Sequence, residues 1–394
     1  MKIVDAFERQ PFRVAQEDAN YLAARLLGNL ERRGDQISIS RHVGHLKLPS
    51  GDVLRLRTGK ARATSLLAWL AYVDPTLAPA LLLEVVPDAA ADGDVGCALA
   101  WLYVTELLRA LAETGLIRRY QRITSRGSTV RGRIDFTALV RQGGNIAQLP
   151  CHVWERQTRS PLNETLRAGL EVVHRSELMR MTVEPKLRRL LGAFAEIAPR
   201  ADTQLLSGAT ALNRTEQRFA TSLRFARLLL HGSAIGDGDH HSGVGFLLNI
   251  EQLFEDAVLR ALRGSGQRVD RQHPLAYGIR TGAKASQGNF SIDAYCQFVD
   301  KNVVVDAKFK REASASNLQQ MVAYCFMTGA TRAVLVLPAE FATDTAFTFV
   351  APQSGRTITV NIVGLKTEGT SIASWRAAGQ SMALEICALC AGES

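Results

Sequence analysis

Apolar and polar positions alternate over much of the first sixty residues, in segments such as ISISRHVGHLKL and VLRLR. A period of two marks half-buried strands. Between these segments lies Pro49-Ser50-Gly51-Asp52, whose residues suit a tight turn, so a hairpin is predicted there. One helix, near Asn20 to Arg32, interrupts this β-rich opening. From Ala61 to Val73 the apolar spacing becomes helical, and Pro75 ends the pattern. A longer helix is predicted after Asp94, through Leu99, Leu102, Leu107 and Leu111 to a stop at Gly115. Residues 161 to 231 are mostly helical in pattern, with PLNETLRAGLEVVHR and TEQRFATSLRFARLLLH the clearest amphipathic stretches.

The run GSAIGDGDHHSGVG, Gly232 to Gly245, has no apolar period and reads as an exposed loop or linker. Beyond it, Phe246 to Arg263 is predicted as a helix with Leu247, Ile250, Phe254, Ala257 and Ala261 on its apolar side. Strands follow near Val269 to Tyr277 and in the two halves of SIDAYCQFVDKNVVVDAKFK. Ser314 or Ser316 caps a helix that runs through Met327. TRAVLVLP suits a buried strand, TFVAPQSGRTITVNIVGL a further hairpin, and the last twenty or so residues a helix. This order predicts an α/β carboxy-terminal domain, a mixed sheet flanked by helices, after an α+β region with a β-rich start and a helical middle. The expected division is 1–145, 146–235 and 236–394.

Composition narrows the picture only a little. At 394 residues, 46% hydrophobic and 22% charged, the chain is long enough for two or three ordinary domains with real cores. No uninterrupted apolar run reaches the roughly 18 residues that span a bilayer, and MKIVDAFERQPFRV lacks a signal-peptide core, so a cytoplasmic protein with no membrane partner is expected. The net charge of +9 favours a polyanionic partner. Six scattered cysteines, Cys387 and Cys390 among them, read as reduced core residues rather than a metal or redox pair.

Three stretches invite a ligand, and none has the residues or spacing to hold one. Asp237, Asp239, His240 and His241 sit on a Gly-rich stretch that constrains them too little to converge on a metal. GVGFLLNIEQLFED has Leu248 where a dinucleotide fingerprint needs its third glycine, and Gly51 to Lys60 has the wrong spacing for a P-loop. No bound nucleotide is expected.

The chemistry concentrates between Ser291 and Lys310. If the turn joining the two strands is centred between Asp300 and Lys301, Asp293 lies opposite Lys308 and diagonal to Asp306, all on one face. A one-residue slip would send Asp293 to the other side. Two carboxylates on adjacent strands suit a hard cation such as Mg²⁺. Asp293, Asp306 and the Ala307 carbonyl would supply ligands, and the Lys308 ammonium would orient an attacking water and offset charge growing on a phosphate. Glu255, on the preceding helix among apolar residues, needs a partner that a metal or its water would provide. Gln320 and Tyr324, four apart on one helical face, either contact a DNA backbone or brace the site. A solvated face with a cross-strand ion pair is the plainer account of the Asp-Asp-Lys trio taken alone.

A second feature is LIRRYQRITSRGSTVRGRIDF, where Arg118, Arg119, Arg122, Arg126, Arg131 and Arg133 occur with no acid before Asp135. The run reads as a contact for phosphates or an acidic partner, or as a solvated strand pair.

Glu255, Asp293, the DAK of Asp306 to Lys308 and the Gln320/Tyr324 pair resemble the PD-(D/E)xK nuclease superfamily in its QxxxY branch. The wider chain resembles the McrC family through VGHLKLPSGDVLRLR, LIRRYQRITSRGSTVRGRIDF, PLNETLRAGL and LLNIEQLFEDAVLRAL. Gly59-Lys60 departs from the Pro-Lys of that family. The resemblance implies the nuclease subunit of a methylation-dependent restriction system. Its Mg²⁺, for which Mn²⁺ can substitute, would serve cleavage of double-stranded DNA bearing methylcytosine, and its partner would be a hexameric McrB-like AAA+ GTPase. A stand-alone repair or recombination nuclease and a non-catalytic DNA- or motor-binding subunit remain as alternatives.

Overall fold

The computed structural model describes residues 2–26, 28–58, 63–83, 94–209, 211–234, 245–266, 268–281, 284–297, 302–343, 345–351 and 355–391. The expected hairpin tip at Asp300-Lys301, the acid-histidine loop at 237–241 and Gly59-Lys60 lie outside them. The chain forms two compact units, one of Met1–Ala98 with Ile235–Ser394 and the other of Leu99–Ala234. Within the first unit the amino-terminal strands pair with the carboxy-terminal part, His42–Lys47 against Gly245–Asn249.

In the first unit a four-stranded sheet has the order Ile3–Phe7, Val53–Arg57, His42–Lys47, Gly245–Asn249. The hairpin at Pro49–Asp52 forms, pairing Lys47 with Val53 across Gly51 at φ 85°. The first helix is Gln16–Arg25, earlier than expected, and Leu30–Arg33 is instead a strand paired with Gln36–Ile39. The helix predicted from Phe246 begins later, at Ile250, because Gly245–Asn249 pairs antiparallel with His42–Lys47. Glycine permits that pairing. A Cβ on Gly44, at φ 131°, would stand 2.1 Å from the Phe246 carbonyl oxygen, and one on Gly245 would stand 2.5 Å from that of His45. Asn249 then caps the helix by accepting from Gln252 N–H.

The second sheet of this unit runs Arg268–Thr281, Lys284–Gln297, Asn302–Ala307, Arg332–Pro338, Thr357–Leu365, Ala346–Val350. It is mixed, with its two parallel pairings at the centre. Asn302–Ala307 and Arg332–Pro338 are buried along almost their whole length, as continuous apolar runs require. Ser314 caps the helix Ala315–Thr328, whose Met321, Tyr324 and Cys325 pack on Tyr295, Val304, Ala333 and Val360 of the sheet. Trp69, Phe254, Phe309 and Trp375 form an aromatic cluster that joins the helices Ala63–Val73, Ile250–Gly264 and Ile372–Ala391.

The second unit contains the helices Pro161–Arg175, Glu177–Ala193 and Ala220–Ala234 and a three-stranded sheet ordered Arg119–Gly127, Leu149–Gln157, Arg133–Ile134. The helix Val95–Thr114 is long and apolar enough to cross a membrane, but Leu99, Leu102, Tyr103, Val104 and Leu107 are buried within the protein. None of the six cysteines is in a disulfide.

Candidate metal centre

The strands Lys284–Gln297 and Asn302–Ala307 pair with Ala294 opposite Val305 and Tyr295 opposite Val304. The register is therefore two residues from the expected one, and it carries Asp293 towards Asp306 rather than Lys308. A shift of two preserves the face, so the carboxylates and the ammonium still share one side of the sheet. Lys308 Nζ lies 2.8 Å from Asp306 Oδ2 and 3.5 Å from Asp293 Oδ2. Asp293 Oδ2 also accepts from the Ala307 N–H at 3.1 Å. Lys308 continues the strand, its N–H donating to Val336 O at 2.9 Å.

Burial sets the electrostatics of this trio. Asp306 is 1% exposed. Its burial, then the Asp293 carboxylate, raise it well above the aspartate range, although Lys308 pulls the other way. For Lys308 burial opposes the charge, but Asp306 and Asp293 outweigh it and hold the ammonium above the usual lysine range. The buried Asp306 Oδ2 is held by the Lys308 ammonium in a charge-assisted contact. Burial, then Asp293, also raise Glu255 from 4.5 to about 7, against the pull of Lys308.

The flanking residues explain the alignment. Phe254, beside Glu255, and Phe309, beside Lys308, pack with ring centroids 5.6 Å apart. On the other helix Gln320 Nε2 donates to Tyr324 OH at 2.6 Å, and Tyr324 OH donates to Ser291 O at 3.1 Å. This pair is hydrogen-bonded to the strand two residues before Asp293.

The donors fit a hard divalent cation in kind, being carboxylate oxygens on adjacent strands, one of them on the buried Asp306. Among the described residues no three His, Cys, Asp or Glu side chains form a ready-made metal cluster. The Lys308 ammonium takes up much of the negative charge of the two aspartates here.

The arginine run belongs to the second unit. Arg119 is taken by an ion pair with Glu216. Arg118, Arg122, Arg126, Arg131 and Arg133 are exposed. Two aromatic residues that the sequence reading missed join them. Tyr120, 68% exposed, and Trp154, 65% exposed, share the outward sheet face with Arg122, Arg126 and Arg156. Their parity on alternating strands was the signal available. No acid lies on this face of the two long strands, and Asp135 at one end pairs with His152. Also unforeseen was a cluster of Glu8, Arg9, Arg41 and Glu251 at the start of the helix that bears Glu255.

Comparison with known proteins now has a geometry to meet. Over 98% of its length the chain superposes, with a TM-score of 0.64 and 15% identity, on all of a chain from the tetradecameric assembly of Thermococcus gammatolerans McrB AAA+ hexamers with bound McrC. At that identity the match establishes a shared fold. A chain of the Thermococcus gammatolerans McrBC complex matches 68% of this chain and 90% of its own length, at 15% identity and a TM-score of 0.47. No curated protein matches. The family described as McrBC 5-methylcytosine restriction system component matches residues 38–338, well over half of the sequence, and the chain belongs to that family.

Proposed function

We propose that this chain is the Mg²⁺-dependent DNA endonuclease subunit of a modification-dependent restriction complex, with its second sheet serving as a PD-(D/E)xK nuclease fold. The observation that carries the reading is the convergence of Asp293, Asp306 and Lys308 on one sheet face, with Lys308 Nζ within 3.5 Å of both carboxylates. Asp293, Asp306 and the Ala307 carbonyl would hold the cation, with Glu255 on the adjoining side. The cation would supply a Lewis acid for the phosphodiester and a more acidic water. Lys308, kept charged by its two aspartates, stabilises negative charge at the phosphate and orients water; it is not a base. Glu255, near neutrality, is suited to accept the proton of that water. Gln320 and Tyr324 hold the strand that carries Asp293.

The partner reading comes from the fold match, whose assembly contains McrB AAA+ hexamers with bound McrC. By that analogy a McrB-like GTPase ring would deliver double-stranded, methylcytosine-bearing DNA. The face of Tyr120, Arg122, Arg126, Trp154 and Arg156, with Arg118, Arg131 and Arg133 nearby, would meet the polyanion or the motor.

Cleavage of methylated and unmethylated duplexes with GTP and such a partner tests the reading. Asp306→Ala and Lys308→Ala should each lower cutting by at least about 100-fold while leaving partner binding intact. Undiminished cleavage by both variants would sink it, and cutting by the lone chain on unmodified DNA would point to a stand-alone nuclease.

A further inference from the structure

We propose that Glu251, bridged by Arg9 and Arg41, is a positioning residue for the metal centre, fixing from the amino-terminal strands where Glu255 stands. The proposal rests on the reading of Glu255, Asp293 and Asp306 as a cation site.

Glu251 is 12% exposed at its side chain and receives two guanidinium groups, Arg9 Nη2 on Oε1 at 2.7 Å and Arg41 Nε on Oε2 at 2.8 Å. A charge-assisted hydrogen bond from Arg9 on one oxygen and the Arg41 ion pair on the other hold the carboxylate in position as well as in charge. Among the described residues, Arg9 at φ 61° and Arg41 at φ 68° are the only non-glycine residues with positive φ. A left-handed backbone disfavours any residue with a Cβ, and such strain persists where surrounding contacts over-determine it. Both strained residues converge on one carboxylate.

Glu8 locks the pair together. Its Oε1 forms an ion pair with Arg9 Nε at 3.0 Å and accepts from the Arg41 N–H at 3.1 Å. The Arg41 carbonyl in turn accepts from the N–H of Ile250, the first residue of the helix, at 3.0 Å. The segments after Ile3–Phe7 and before His42–Lys47 thus grip the first turn of Ile250–Gly264 through both backbone and side chain.

The helix does not need this grip in order to form. Asn249 caps it, and Leu253, Phe254, Ala257, Val258, Ala261 and Leu262 bury its apolar face. What remains for the bridge to fix is the orientation of the first turn. Glu255 lies four residues after Glu251, on the same helical face. No hydrogen bond or ion pair to another described residue pins Glu255, so its place follows that of the helix. Arg9 also borders a cleft with Phe309, Lys310 and Arg311, the residues after Lys308, so the same anchor adjoins both sides of the site.

The test is Mn²⁺ binding by calorimetry on the full chain, read beside thermal unfolding in chelator. Glu251→Ala should weaken Mn²⁺ roughly tenfold, as loss of an outer support commonly does. Arg55→Ala, which removes the Arg55–Asp5 pair elsewhere in the same sheet, should leave Mn²⁺ binding unchanged at a similar thermal cost. Arg41→Lys, which keeps the charge and the backbone contact but not the Nε geometry, should show a smaller loss and serves if Glu251→Ala does not fold. Wild-type binding that Asp306→Asn abolishes, together with unaltered binding by Glu251→Ala and Arg41→Lys, overturns the bridge alone. A wild-type chain that binds no Mn²⁺ overturns the cation site and the bridge with it.

Discussion

Glu255→Gln separates what the site costs the fold from what it contributes to chemistry. In the folded chain burial and the Asp293 carboxylate raise Glu255 from 4.5 to about 7. Between those pH values the folded protein keeps a proton that the unfolded chain has released. Stability is therefore lost as pH rises through this window, and the loss is complete above pH 7. At about 1.4 kcal/mol for each tenfold change in proton affinity, the difference is worth about 3 kcal/mol for a fully buried group. Glu255 is only partly buried, and solvent screening reduces the figure to about 1.5 kcal/mol. Glutamine occupies nearly the same volume without the charge. In chelator at pH 8, Glu255→Gln should raise the unfolding midpoint by about 3 °C, and at pH 4.5 or below it should change nothing. Differential scanning fluorimetry at both pH values reads this directly, and the same variant should cut DNA more slowly with Mg²⁺. A midpoint at pH 8 no higher than wild type, or an equal rise at the lower pH, would refute the placement of Glu255 beside Asp293 and Asp306.

Other perturbations probe other parts of the structure. Tyr324→Phe removes the bond to the Ser291 carbonyl and should cost about 1 kcal/mol with a several-fold loss of cutting; adding Gln320→Ala should cost little more, since both act through one hydroxyl. A Gly44→Ala variant drives a Cβ into the Phe246 carbonyl at a φ of 131° and should destabilise the first unit by about 3 kcal/mol or more in urea melts. Trp154→Ala with Arg122→Ala alters only an exposed face, so the thermal midpoint should stay within about 0.5 kcal/mol of wild type, while binding to DNA or to the GTPase weakens in a pull-down or anisotropy titration.

Local pattern carried a large part of this protein. Alternation in VLRLR, the turn at Pro49–Asp52, the apolar run of Arg332–Pro338, the Ser314 cap and the stop at Gly115 are decided by neighbours in sequence, and the structure forms each of them. The common face of Asp293, Asp306 and Lys308 was legible for a similar reason. Side-chain parity survives any even shift, so the two-residue error in register left the three side chains on one face. Tertiary structure decided what depends on partners far along the chain. Phe246 and Leu247 fit a helical period, yet they form a strand because His42–Lys47, two hundred residues earlier, offers an unpaired edge with a glycine to receive it. Arg119 looked like its neighbours until Glu216 claimed it. Arg9 and Arg41 carried no signal at all, since a left-handed backbone at arginine is favoured only once Glu8 and Glu251 stand beside it. Spacing records preferences that a residue has within its own segment, whereas ladders and ion pairs closed over long loops exist only after the chain has paid the entropy of bringing their ends together.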